Sequence, residues 1–142
     1  MTAALLIDNS AWARLGHTAL APRRSEEIAS ELEAGGIAVC LPFLLEAGYS
    51  ARSAAEHGEI LAELLSLPFV SIDERVERRA LDAQQQLARA GHHRVPPVDI
   101  LIAALADQHG LGILHYDGDY ELILGGTDLG FESEWLVERG SL

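Results

Sequence analysis

Near-continuous apolar runs at 3–7, 37–41, 69–72 and 112–115 alternate with stretches of helical period, and a fifth, weaker run lies near 134–137. Runs of this length without polar interruption are what strands of a parallel sheet look like when both faces are covered. Between them the apolar positions recur every three or four residues. Ser25 is placed to cap a helix in which Ile28, Ala29 and Leu32 share a face, with Gly35-Gly36 as its stop. Pro42 suits the start of a helix that runs to about Arg52, and "ILAELLSLP" reads as a helix closed before Pro68. Ser71 to Glu74 fits a capping box ahead of a helix carrying Val76, Ala80, Ala83, Leu87 and Ala90 on one side. "PPVDILIAALADQHG" is a short helix that is apolar nearly all round, which predicts a central position. Strand alternating with helix predicts an α/β fold around a mainly parallel, roughly five-stranded sheet. The pattern has no repeat, linker or low-complexity tract, so a single domain is expected over 1–142.

Charge changes the picture. The chain has 22 acidic and 10 basic residues, for a net charge of −12, and every basic residue is arginine. Without lysine there is no phosphate-loop lysine, no Schiff base and no lysine partner for an aspartyl-phosphate. The acidity also argues against non-specific, charge-driven nucleic-acid binding, so a polyanionic substrate needs local arginines or a bound cation. The one cysteine, Cys40, lies in an apolar run and reads as a buried thiol. No segment reaches the length of a membrane span and no secretory signal is apparent, which gives a cytoplasmic protein as the expectation.

The candidate chemistry lies in the carboxylates. In open parallel sheets, sites form beyond the carboxyl ends of the strands. Asp8 directly follows the first apolar run, and Asp117 and Asp119 follow the fourth. Asp99 is in the first turn of the apolar helix, and Glu46 is early in the helix after the second run. Each has an ordinary explanation alone: a turn or cap residue, a dipole-stabilised helix acid, a solvated position. Together they are acids among apolar neighbours with no lysine to neutralise them, and a shared divalent cation removes the repulsion. An oxygen-only donor set suits Mg²⁺ or Mn²⁺, which would lower the pKa of a bound water and offset charge on a phosphodiester under attack.

"LLIDNSAW", "LPFLLEAGYSAR", "VDILIAALA" and "ILHYDGDYELI", in this order and spacing, resemble PIN-domain ribonucleases, and most of all the VapC toxins of bacterial VapBC toxin–antitoxin systems. The resemblance spans nearly the whole chain. It implies a three-layer α/β/α sandwich and Mg²⁺-dependent endonucleolytic cleavage of RNA. By position it makes Asp8, Glu46, Asp99 and Asp117 the four site acids, with Asp119 an accompanying one and Ser10 a supporting hydroxyl; Asn9 stands where the family often has Thr. It also implies a VapB-like antitoxin peptide as partner and a homodimer, for which Leu61, Leu64 and Leu65 are a candidate apolar surface.

Other features fit less specific roles. Arg14 and Arg94 are candidates for contacting RNA phosphate, although surface arginines are more often solvated or ion-paired. His92-His93 has no partner at zinc-ligand spacing. Trp12 reads as packing, His115 as a group with no necessary acid–base role, and the Arg75, Arg78, Arg79 cluster as a solvated helix face. Two rival functions stay open at this level. One is an aspartate-based phosphatase using Asp8, which lacks a second Asp at position 10 and any lysine; the other is a PIN-like module that only binds a partner.

Overall fold

The computed structural model describes residues 3–142. Its elements run β1 (Leu5–Ile7), α1 (Asn9–Trp12), α2 (Pro22–Glu33), β2 (Ile37–Ala38), α3 (Leu41–Tyr49), α4 (Ala54–Leu64), α5 (Glu74–Arg89), α6 (Pro97–His109), β3 (Gly112–His115), α7 (Asp119–Gly126) and β4 (Ser133–Trp135). The strands form one parallel sheet in the order β2-β1-β3-β4. Leu5 pairs with both Ile37 and Gly112, so β1 is flanked on both sides and is wholly buried, as its unbroken apolar run requires.

The order places β2 on one side of β1 and β3 on the other. The connections leaving β1 and β3 therefore diverge, and a crevice opens at the carboxyl ends of these two strands. Asp8 N donates to Leu114 O at 3.0 Å, the last ladder bond before that crevice. Helix α6 crosses beneath. Ile100, Ile102, Ala103, Ala104, Leu105 and Ala106 are all buried, so its apolar circumference is the central packing element expected of it. Fully burying side chains such as Ile102 and Leu105 stabilises the fold by about 1.5–3 kcal/mol each. Gly110 ends α6 in the left-handed conformation, with φ of 66°. Cys40 is free and buried, and burial pushes its thiol up to about 11.

Several sequence expectations need correction. The sheet has four strands rather than five: the run 69–72 contributes a single bridge, Val39 with Phe69. Proline at 68 and a helix cap at Asp73 confine that pairing to one residue. Ser25 lies inside α2, because Pro22, with its fixed φ, starts the helix earlier. Asp73, not Ser71, caps α5: its Oδ1 accepts from Val76 N at 3.0 Å. Helix α3 stops at Tyr49, short of Arg52, since Ser53 already caps α4 by accepting from Glu56 N. Leu64, one of the three candidate interface leucines, is core at 1% exposure, whereas Leu65 is 54% exposed. No helix among the described residues is long and apolar enough to cross a membrane.

Candidate metal centre

Three carboxylates converge at the crevice. Asp8 leaves β1 in extended backbone geometry and caps α1. Asp117 leaves β3, and Asp99 comes up from the first turn of α6. One oxygen from each lies within 4.8 Å of the other two. Among the described residues this is the one group of three or more His, Cys, Asp or Glu side chains arranged closely enough to hold a metal ion.

Asp8 is 3% exposed, and both its oxygens accept hydrogen bonds. Ser10 donates to Oδ2 from its hydroxyl and from its backbone N at 3.1 Å, while Tyr120 donates to Oδ1 at 2.9 Å. Burial and the Asp8 charge hold the Tyr120 phenol far above its usual range, so it remains a donor. The Ser10 hydroxyl also accepts from Tyr116 N at 2.9 Å, tying the β1 turn to the loop after β3.

Asp117 is fixed from behind. Its backbone N donates to His115 Nδ1 at 3.1 Å, which places the remaining ring hydrogen on Nε2. That nitrogen lies 2.7 Å from Ser133 Oγ; Ser133 in turn donates to Glu121 Oε1 at 2.9 Å, and Trp135 Nε1 donates to the same oxygen. Burial pulls the His115 pKa down, so the ring is neutral, and both its nitrogens are engaged within the fold. His115 is thus a support for the acid loop.

Asp99 is the exception. It is 6% exposed, and its Oδ2 is buried with no hydrogen-bond partner. A buried carboxylate oxygen without a donor is costly. Burial, then the charges of Asp8, Asp117 and Asp119, push the Asp99 pKa up to about 8. A hard divalent cation matches both observations, because it supplies the missing partner and removes the repulsion. The donor set is all oxygen, which suits Mg²⁺ or Mn²⁺.

The remaining candidates fall around this group. Glu46 is outside the three-oxygen set, yet burial and the charges of Asp8 and Asp117 raise its pKa, so it lies within electrostatic reach. Asp119 is also outside the set; burial and Asp117 raise it in the same way. An apolar groove of about 520 Å³, lined by Leu41, Leu45, Tyr49 and Leu101, reaches Glu46 and Asn9 at the rim. Arg14 donates to Ser10 O at 2.9 Å, and Arg94 lines a cleft with Asp119. His92 and His93 line that same cleft and belong to no metal-ligand group among the described residues. Trp12 packs edge-on against Phe43, Arg78 pairs with Glu74, and Arg79 pairs with Asp107 and Asp128.

Sequence reasoning missed Tyr120 and the His115–Ser133–Glu121 chain. Tyr120 had one available signal: with Ile123 it begins a helical apolar period directly after "DGD", which taken alone reads as a turn.

Residues 5–123 match the PIN domain family. Ribonuclease VapC51 of Mycobacterium tuberculosis is 36% identical over 137 residues, covering 96% of each chain. Among solved structures, DNA-bound VapBC from Salmonella typhimurium superposes with a TM-score of 0.72 at 18% identity, over 95% of this chain and 99% of that one. VapBC-5 from Mycobacterium tuberculosis, of the VapBC family of toxin–antitoxin systems, superposes at 0.57 with 23% identity, over 94% and 97%.

Proposed function

The chain belongs to the PIN-domain family, and from that premise we propose that it is a metal-dependent endoribonuclease, the toxin of a toxin–antitoxin pair. The observation that carries the reading is Asp99 Oδ2, buried and without a partner inside a group of three carboxylates. The ribonuclease name of a relative sharing 36% of its residues supports RNA as the substrate.

A bound Mg²⁺ or Mn²⁺ supplies an activated water near neutral pH and offsets the charge that builds on the phosphate. Asp8, Asp99 and Asp117 would hold it, and Glu46 and Asp119, outside that group but subject to its charge, would act through water. The chain's own contribution is preorganisation. Ser10 and Tyr120 fix both oxygens of Asp8, and His115 holds the backbone of Asp117. A third hydrogen bond, from Ser10 Oγ to the Tyr116 amide, keeps the two acid-bearing turns in register.

The same reading includes a VapB-like antitoxin and a homodimer. A toxin of net charge −12 is electrostatically matched to an arginine-bearing peptide that enters the carboxylate group. The test is cleavage of single-stranded RNA with Mg²⁺, with EDTA, and by Asp99→Asn. Cleavage is expected in the first case alone. Full activity in EDTA, or in the purified variant, would overturn the assignment.

A further inference from the structure

Of the ten arginines, four are ion-paired among the described residues and six are not, and two of those six share a setting that the others lack. Arg23, Arg24, Arg78 and Arg79 form ion pairs with carboxylates. Arg14 and Arg139 form none among the described residues, although both lie beside the loop that carries Asp117 and Asp119 in a protein of charge −12. Each is mounted on an aromatic ring instead. The Arg14 guanidinium lies 4.9 Å from the Tyr116 ring centre, and that of Arg139 lies 5.9 Å from Trp135. The two rings pack edge-on with centres 5.8 Å apart, so both cations share one platform.

That platform adjoins the site. Tyr116 immediately precedes Asp117, and its amide is bonded to the Ser10 hydroxyl that holds Asp8. Arg139 overlies the turn between Asp117 and Asp119: a Cβ on Gly118 would come within 2.8 Å of its guanidinium. Glycine at 118 is what admits this approach. Arg14 donates one N–H to Ser10 O, and Arg139 makes no side-chain hydrogen bond among the described residues, so most of their donors stay available. Stacking on a ring leaves the edge of a guanidinium free, which is the geometry for bidentate contact with a phosphate.

We propose that Arg14 and Arg139 form a two-point phosphate clamp that holds single-stranded RNA across the carboxylate group. The clamp rests on the ribonuclease reading above. It also gives so acidic a protein two cations at the site itself, while the acids on remote faces are screened beyond about 8–10 Å.

The test is the salt dependence of RNA binding, measured by fluorescence anisotropy with a labelled ten-nucleotide single strand. An Asp99→Asn background in EDTA prevents cleavage. Each phosphate contact on a single strand contributes about 0.7 to the slope of log affinity against log salt. Arg14→Gln with Arg139→Gln is expected to weaken binding at least tenfold and to flatten the slope by about 1.4. Lysine at both positions should restore most of the slope, which separates charge from folding. Arg23→Gln with Arg78→Gln, at exposed positions on α2 and α5, removes the same net charge and should leave the slope unchanged. With the carboxylates intact, the double variant should raise KM more than it lowers kcat. An unchanged slope in a double variant of a protein that cleaves RNA overturns the clamp alone. A parent that neither cleaves nor binds RNA overturns the ribonuclease reading, and the clamp with it.

Discussion

Tyr120 donates to a site carboxylate from a position with no solvent exposure, and that pairing makes its hydroxyl worth testing alone. Tyr120→Phe keeps the ring and its tilted contact with His115 at 4.8 Å, but leaves Asp8 Oδ1 without its donor. Groups that orient a metal ligand typically contribute about 10–100-fold in metal affinity. A loss of that order is expected in Mn²⁺ titration by calorimetry, with the circular dichroism spectrum unchanged; wild-type affinity would remove Tyr120 from the site. Asp99 gives a different signature. Its pKa is about 8 in the fold against 3.8 for an ordinary aspartate, so the folded state holds a proton that the unfolded chain releases. The stability this contributes is complete below about pH 4 and is lost as pH rises toward 8, in a titration the clustered acids share. Metal-free protein should therefore lose stability across that window relative to Asp99→Asn, which has no charge to bury. Parallel melting curves for the two proteins from pH 5 to 9 in EDTA would contradict the clustering.

The acid loop between β3 and α7 depends on β4, a half-buried edge strand, for its support. Ser133 on β4 receives the His115 Nε2–H, and His115 in turn holds Asp117. Ser133→Ala leaves a buried ring N–H unpaired, at a cost of about 1–3 kcal/mol. The urea midpoint should fall accordingly, and Mn²⁺ affinity should fall with it; a lower midpoint at full metal affinity would confine β4 to a structural role. This dependence was not legible in the sequence, whereas the frame around it was. The apolar runs ending at Ile7 and His115 predict β1 and β3 because both are buried on two faces, and the nearly all-round apolar surface of α6 predicts its central place. From those elements alone, Asp8, Asp99 and Asp117 come to one end of the sheet. What failed was local competition between signals. Ser25 and Ser71 are good caps in the abstract, but Pro22 and Asp73 are better placed. "DGD" is a turn by composition, yet Asp119 and Glu121 favour a helix start, and Tyr120 with Ile123 give α7 a buried side. Contacts between sequence-distant polar groups, such as Ser133 with His115, carry no periodic signal at all.

At the scale of the whole molecule, the unexplained surface is apolar. Leu41, Leu45 and Tyr49 recur every four residues along α3 and are 50%, 66% and 92% exposed. They line the groove of about 520 Å³ with Ile72, Val98 and Leu101. Three large apolar side chains in one exposed row are a more plausible association surface than Leu61, Leu64 and Leu65, of which Leu64 is committed to the core. The proposed homodimer should therefore bury the α3 row. Leu45→Glu places a charge at the middle of that row while disturbing no core contact, since Leu45 is two-thirds solvent-exposed in the single chain. In light scattering coupled to gel filtration, the parent is expected at twice the monomer mass and the variant at the monomer mass. The pH-dependent melting difference between the variant and its Asp99→Asn derivative should persist, because the carboxylates that produce it lie within one chain. A dimeric Leu45→Glu protein would move the interface off α3, and a parent that is monomeric at the highest concentration tested would remove the homodimer from the proposal.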